Sequence, residues 1–175
     1  PHTLAFQSPD CTEFSAGMYR LIERFAGSFT DRLVALSDIQ KQRFEDEGLV
    51  DQHAIAVIPN GVSLKVEPEQ LPSDVPELSE GQPIVGFVGR LTLQKGLPAF
   101  RETVRRVCAK HNTVKFLVLG DGEERKRLQT ELDALGLTDR VRLLGHRNDV
   151  RCFYPRFDLL MMTSDYEGLP YVVLE

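Results

Sequence analysis

The chain has 175 residues, 42% of them hydrophobic and 27% charged, the balance of a water-soluble globular protein rather than of a disordered, fibrous or membrane chain. Its 21 Lys and Arg against 26 Asp and Glu leave a net charge of −5, which argues against a long-range pull toward nucleic acid or anionic lipid, so any phosphate must be held locally. No apolar run approaches the roughly 18–20 residues of a membrane-spanning helix, the N-terminus lacks a basic-then-apolar secretory pattern, and a cytoplasmic location is expected.

In chain order, residues 14–29 place Met18, Leu21, Ile22, Phe25 and Phe29 at helical spacing, which predicts an amphipathic helix packed on something apolar. Residues 33–36 form a short apolar strand, Ser37-Asp38 can cap a helix through 40–47, and Gly48 stops it. A second strand over 54–58 ends at Pro59-Asn60-Gly61, a turn sequence because Asn and Gly tolerate positive φ. Residues 65–83 turn acidic and Pro-rich, as expected of a surface connector. Then strands over 84–88, 114–119, 141–144 and 159–162 alternate with helices over 97–111 and 123–135 and a short one over 149–154. Parallel strands need crossovers, so this pattern predicts an α/β Rossmann-like parallel sheet covered on both faces. Cys11, Cys108 and Cys152 make no CxxC pair and leave one over, against a stapled or zinc-bound fold. Cys108 is expected in the core.

In such sheets ligands bind at the carboxyl ends of the strands, where Gly89-Arg90, Gly120-Asp121-Gly122, Gly145-His146-Arg147 and the 164–168 segment lie. The first loop sets Arg90 and Lys95 five residues apart before a helix. Two cations at one helix N-terminus suit a diphosphate, although each can equally be a solvated surface charge. Neither the three-glycine dinucleotide fingerprint nor the P-loop pattern is present, which disfavours a nicotinamide cofactor. Pro170 can start a helix, with Glu167 before it and Glu175, eight residues on, within it. The two carboxylates can accept from hydroxyls at separate points of one elongated ligand. The alternative is that Glu167 complements the helix dipole while Glu175 is solvated. Arg105-Arg106 and Arg125-Lys126-Arg127 lie among acids on helix faces and are expected to be solvated, with no nucleic-acid partner. The four histidines, His2, His53, His111 and His146, are scattered, so no metal site is expected.

Taken together, Val57-Ile58-Pro59-Asn60-Gly61-Val62, the Gly89-Arg90-Leu91 to Lys95-Gly96 stretch, Leu119-Gly120-Asp121-Gly122, Val141 to Gly145, and Glu167-Gly168-Leu169-Pro170 leading to Glu175 resemble the retaining glycosyltransferases of family 4. The resemblance implies a two-domain GT-B fold and transfer of a sugar from a nucleotide-diphosphate sugar to a glycan or lipid-linked sugar acceptor, in bacterial polysaccharide or glycolipid assembly. It implies that Arg90 and Lys95 hold the diphosphate and stabilise its departure, that Gly89 admits its close approach, and that no metal or other cofactor is needed. The backbone of Gly145, His146 and Arg147 would lie near the nucleobase, Glu167 with the Gly168 and Leu169 backbone would meet the transferred sugar, and Glu175 would take the ribose hydroxyls. Pro1-His2-Thr3 is similar to the family's active-site segment, which implies that His2 faces the donor sugar. A disordered terminus is the other reading of that segment.

Residues 1–62 would then close an acceptor-side N-terminal domain, 63–83 would connect, and 84–175 would form an incomplete donor-binding domain. The chain starts at Pro1 without methionine and stops at Glu175 after Val172-Val173-Leu174, so it is expected to be a piece of something longer. Peripheral contact with the inner face of the membrane is open for the whole protein. Two further readings stay open: a non-catalytic nucleotide-sugar-binding partner subunit, and a GT-B nucleotide-sugar epimerase, which would need a general base that the sequence does not display.

Overall fold

The computed structural model describes residues 12–63, 72 and 81–175. His2, Cys11 and residues 65–71 and 73–80 of the connector lie outside these residues. The chain divides into two compact units, residues 12–62 with 167–174 and residues 63–166 with Glu175. No helix among the described residues is long and apolar enough to cross a membrane.

The second unit carries a four-stranded parallel sheet in the order β5-β4-β3-β6, built from β3 (Ile84–Val88), β4 (Lys115–Leu119), β5 (Val141–Gly145) and β6 (Leu159–Leu160). Its central strands are near-continuous apolar runs because both faces are covered, which is the Rossmann-like expectation. Phe116 and Val118 point to one face, joining Phe87, Phe100, Val104, Leu128, Leu132 and Val141 beneath α3 (Leu97–Lys110) and α4 (Arg125–Ala134). Leu117 and Leu119 point to the other, where Ile84, Cys152 and Phe153 complete a smaller cluster. This is the period-two alternation of a strand buried from both sides. Three rings, Phe87, Phe100 and Phe116, meet edge to face across the larger cluster at centroid separations of 4.9 and 6.4 Å. Cys108 is partly buried against it.

The segment between β5 and β6 forms two 3₁₀ turns, Val150–Cys152 and Tyr154–Arg156, where a short helix is predicted. Pro155 has no N–H to donate to the Arg151 carbonyl, which breaks an α-helical ladder here and leaves two short turns, with Cys152 and Phe153 buried under the sheet.

The first unit has a two-stranded parallel sheet, β1 (Leu33–Ala35) with β2 (Ile55–Val57). Helix α2 (Asp38–Asp46) is capped by Ser37, whose hydroxyl accepts from the Gln40 N–H. Ala35, Phe44, Leu49 and Ile55 form its core. Helix α1 (Glu13–Gly27) is amphipathic as predicted, yet none of its residues is buried. Phe14, Leu21, Phe25 and Phe29 are exposed, each above 65% (84, 70, 68 and 76%). The helix is held at its polar edge, where Arg24 Nε donates to the Glu47 carbonyl at 2.8 Å and Arg20 pairs with Glu47. Of its side chains, Ala16 packs against the core.

Helix α5 (Tyr171–Leu174) follows Pro170 as expected.

Candidate functional site

The carboxyl ends of β3, β4, β5 and β6 bring four loops of the second unit together. Gly89 N–H donates to the Leu119 carbonyl at 3.0 Å, Leu91 N–H to Asp121 at 3.0 Å, and Glu124 N–H to Leu91 at 3.0 Å, so the loops after β3 and β4 run against each other backbone to backbone. Gly120 N–H donates to the Gly145 carbonyl at 2.7 Å, tying in the loop after β5. A Cβ on Gly120 would overlap the Gly89 carbonyl oxygen, so only glycine permits this approach.

The loop after β3 closes through a 3₁₀ turn, Leu93–Lys95, that ends at Gly96 in the left-handed region at φ 60°. There a Cβ would meet the Thr163 carbonyl. The loop after β6 is bound to this turn three times: Thr163 Oγ1 donates to the Lys95 carbonyl at 2.8 Å, Asp165 N–H to the Gln94 carbonyl at 2.9 Å, and Gln94 Nε2 to the Tyr166 carbonyl at 3.1 Å. These bonds fix the backbone that carries Lys95. Its side chain crosses Gly89, with Cε 3.1 Å and Nζ 3.5 Å from where a Gly89 Cβ would stand. A lysine ammonium and a bare glycine backbone thus meet at one strand end, with Arg90 exposed beside them. An anion approaching Gly89 would meet the point charge of Lys95 without a side chain in its way.

After β5, Gly145 is buried and His146 is exposed, with Nε2 3.1 Å from Asn148 Oδ1. Arg147 is drawn inward: it grips Asp149 through Nε at 2.8 Å and Nη2 at 2.6 Å, and its guanidinium carbon stands 5.4 Å from the Phe153 ring centroid. That hydrogen bond from Arg147 holds the Asp149 carboxyl below the usual carboxylate range. The Arg147 side chain therefore braces the loop.

Arg125 differs from its predicted role. Arg127 pairs with Glu124 and Glu131, and Arg105 and Arg106 with Glu102, on helix surfaces as expected. Arg125, at the first turn of α4, instead reaches Asp121 at 3.2 Å and the Leu143 carbonyl at 3.4 Å, and its guanidinium lies 3.7 Å from a Cβ built on Gly145. The sequence signal was its place just after a strand-end loop, which puts it at the carboxyl edge of the sheet.

Glu175 belongs to the second unit, where Tyr154 Oη donates to its Oε2 at 2.8 Å and Arg151 Nη2 stands 3.5 Å from its Oε1. Glu167, Gly168 and Leu169 group with the first unit. Within that unit the Asn60 side chain, from the Pro-Asn-Gly turn, donates to the Leu169 carbonyl at 2.6 Å.

Residues 71–175 match the family described as "Glycosyl transferases group 1", and the chain belongs to that family. Its parallel α/β fold is that of GT-B glycosyltransferases. Among relatives, it is 32% identical over 183 residues to the Escherichia coli UDP-Gal:alpha-D-GlcNAc-diphosphoundecaprenol alpha-1,3-galactosyltransferase, an alignment covering 99% of this chain and 47% of that protein. It is 26% identical over 164 residues to the Staphylococcus aureus capsular polysaccharide biosynthesis glycosyltransferase CapM, covering 89% of this chain and 43% of the other. The chain thus spans about half the length of these relatives. Among solved structures, Anabaena HepE in complex with UDP and glucose superposes with a TM-score of 0.76 at 24% identity over 98% of this chain and 47% of that one. WaaG, a glycosyltransferase involved in lipopolysaccharide biosynthesis, superposes with a TM-score of 0.71 at 20% identity over 93% of this chain and 46% of that one.

Proposed function

We propose that the chain contributes the donor side of a retaining, family 4 type glycosyltransferase, which moves a sugar from a nucleotide-diphosphate sugar to a glycan or lipid-linked acceptor in bacterial polysaccharide or glycolipid assembly. The observation that carries this reading is the fixed turn that lays Lys95 across Gly89 at the end of β3. There Arg90 and Lys95 would bind the diphosphate and, as its negative charge grows on departure, stabilise it without a metal. Gly145, His146 and the Arg147 backbone would adjoin the base, Glu175 the ribose, and Glu167 with Gly168 and Leu169 the transferred sugar. His2 would face that sugar from the acceptor side. Residues 1–62 would belong to the acceptor-side domain, 63–83 to the connector and 84–175 to the donor-binding domain, with the enzyme in the cytoplasm. The names of the relatives support this, since that of the Escherichia coli protein couples UDP-Gal to a lipid-linked sugar, alpha-D-GlcNAc-diphosphoundecaprenol.

Calorimetric titration of the full-length protein with UDP and GDP tests the reading. One of them is expected to bind, NAD is not, and Arg90→Ala with Lys95→Ala should weaken binding at least a hundredfold while leaving the melting temperature in place, since each charge-assisted bond is worth about 1.5–3 kcal/mol. Unchanged affinity in that double variant would remove the diphosphate from this loop. Nucleotide binding with no donor-dependent transfer, and with Glu167→Gln indistinguishable from the parent, would favour the partner-subunit reading.

A further inference from the structure

Glu175 is exposed but anchored. Its carboxylate is gripped from the connection between β5 and β6, and the side chains that grip it border a cleft of about 120 Å³ lined by Ser63, Arg151, Tyr154, Pro155 and Glu175. Tyr154 is well placed to act as a fixed donor. Its ring stands edge-on to Phe157, with centroids 6.1 Å apart at 84°, and the residue before it, Phe153, is fully buried. Burial first, then the hydrogen bond to Glu175 and the Glu175 charge, push the phenol well above its usual range. It therefore remains an O–H donor across the neutral range.

We infer that Tyr154, seconded by Arg151, is a positioning residue that sets the Glu175 carboxylate in the orientation in which it receives the ribose hydroxyls of the donor. This rests on the ribose role proposed above for Glu175. A carboxylate offers about four acceptor sites. Tyr154 and Arg151 occupy one on each oxygen, which leaves one on each for the two vicinal hydroxyls of a ribose. A glutamate without such an anchor would lose side-chain freedom only when the nucleotide arrives, and part of the binding free energy would go into ordering it. Tyr154 contributes more than Arg151 because its bond is shorter and its ring is packed. The Arg151 side chain is 47% exposed and its 3.5 Å contact is weak.

The test compares UDP with 2′,3′-dideoxy-UDP on the full-length protein. Tyr154→Phe keeps the ring and removes only the donor, and a thermal melt establishes that the variant is folded. It is expected to weaken UDP about tenfold, the equivalent of one hydrogen bond to a charged group, while dideoxy-UDP binding hardly changes. Glu175→Ala should erase the preference for the ribose form, and adding Tyr154→Phe to it should change nothing more. A Tyr154→Phe variant that weakens both nucleotides equally, or neither, overturns the positioning role while a lost preference in Glu175→Ala leaves the ribose reading standing. Retention of the preference in Glu175→Ala overturns both. Failure of UDP to bind the parent protein while GDP binds moves the same comparison to GDP and its dideoxy form.

Discussion

The two units use the same ingredients, parallel strands and amphipathic helices, with different results. In the second, α3 and α4 turn Phe100, Val104, Leu128 and Leu132 onto a four-stranded sheet, and each of those side chains is at most 2% exposed. In the first, α1 has a comparable apolar stripe beside a two-stranded sheet, and Phe14, Leu21, Phe25 and Phe29 stay exposed. A helix stripe states that a face favours burial. Whether such a face is covered is decided by what the rest of the fold sets against it, and among the described residues of the first unit only Ala16 of α1 packs on the core.

Truncating the two stripes should break this comparison if it is wrong. The largest expected effect is Phe100→Ala, which removes the middle ring of three and should destabilise by about 3–5 kcal/mol in denaturant titration. A smaller value would mean that the core collapses around the gap. Gly96→Ala comes next. Left-handed backbone disfavours a Cβ and the Thr163 carbonyl occupies its place, so about 2–4 kcal/mol is expected, with weakened nucleotide binding because the turn that carries Lys95 must shift. Unaltered binding would show that the turn and the cation are independent. The smallest effect is Phe25→Ser on α1 in a protein of residues 1–175 alone, where Phe25 is exposed, within about 0.5 kcal/mol of the parent. A loss of several kcal/mol there would show that α1 is buried in the protein in solution.

Much of the second unit was legible because its signals are local. Apolar runs over 84–88, 114–119 and 141–144 mark strands, and Gly89, Gly120 and Gly145 mark the edge where backbones converge. What escaped depends on partners distant in sequence or on competition between neighbours. Arg125 shares a basic run with Lys126 and Arg127 that predicts solvated charges, yet Asp121 and the Leu143 carbonyl, the latter 18 residues away, hold it at the sheet edge. Nor does the sequence show that Asp149, two residues on, and Phe153 claim the Arg147 guanidinium. Glu175 carries no local sign that Tyr154, 21 residues back, holds it.

The hydroxyl of Thr163 on the Lys95 carbonyl has one more consequence. An ammonium mounted on a wandering loop would have to be gathered up whenever an anion docked, at a cost of about 0.5–1.5 kcal/mol for each rotamer-rich side chain immobilised and more for the strand of backbone behind it. Here the main chain is already stationary, so capture should be quick and nearly free of rearrangement, and temperature jumps should find little slow conformational motion around the anion's landing point.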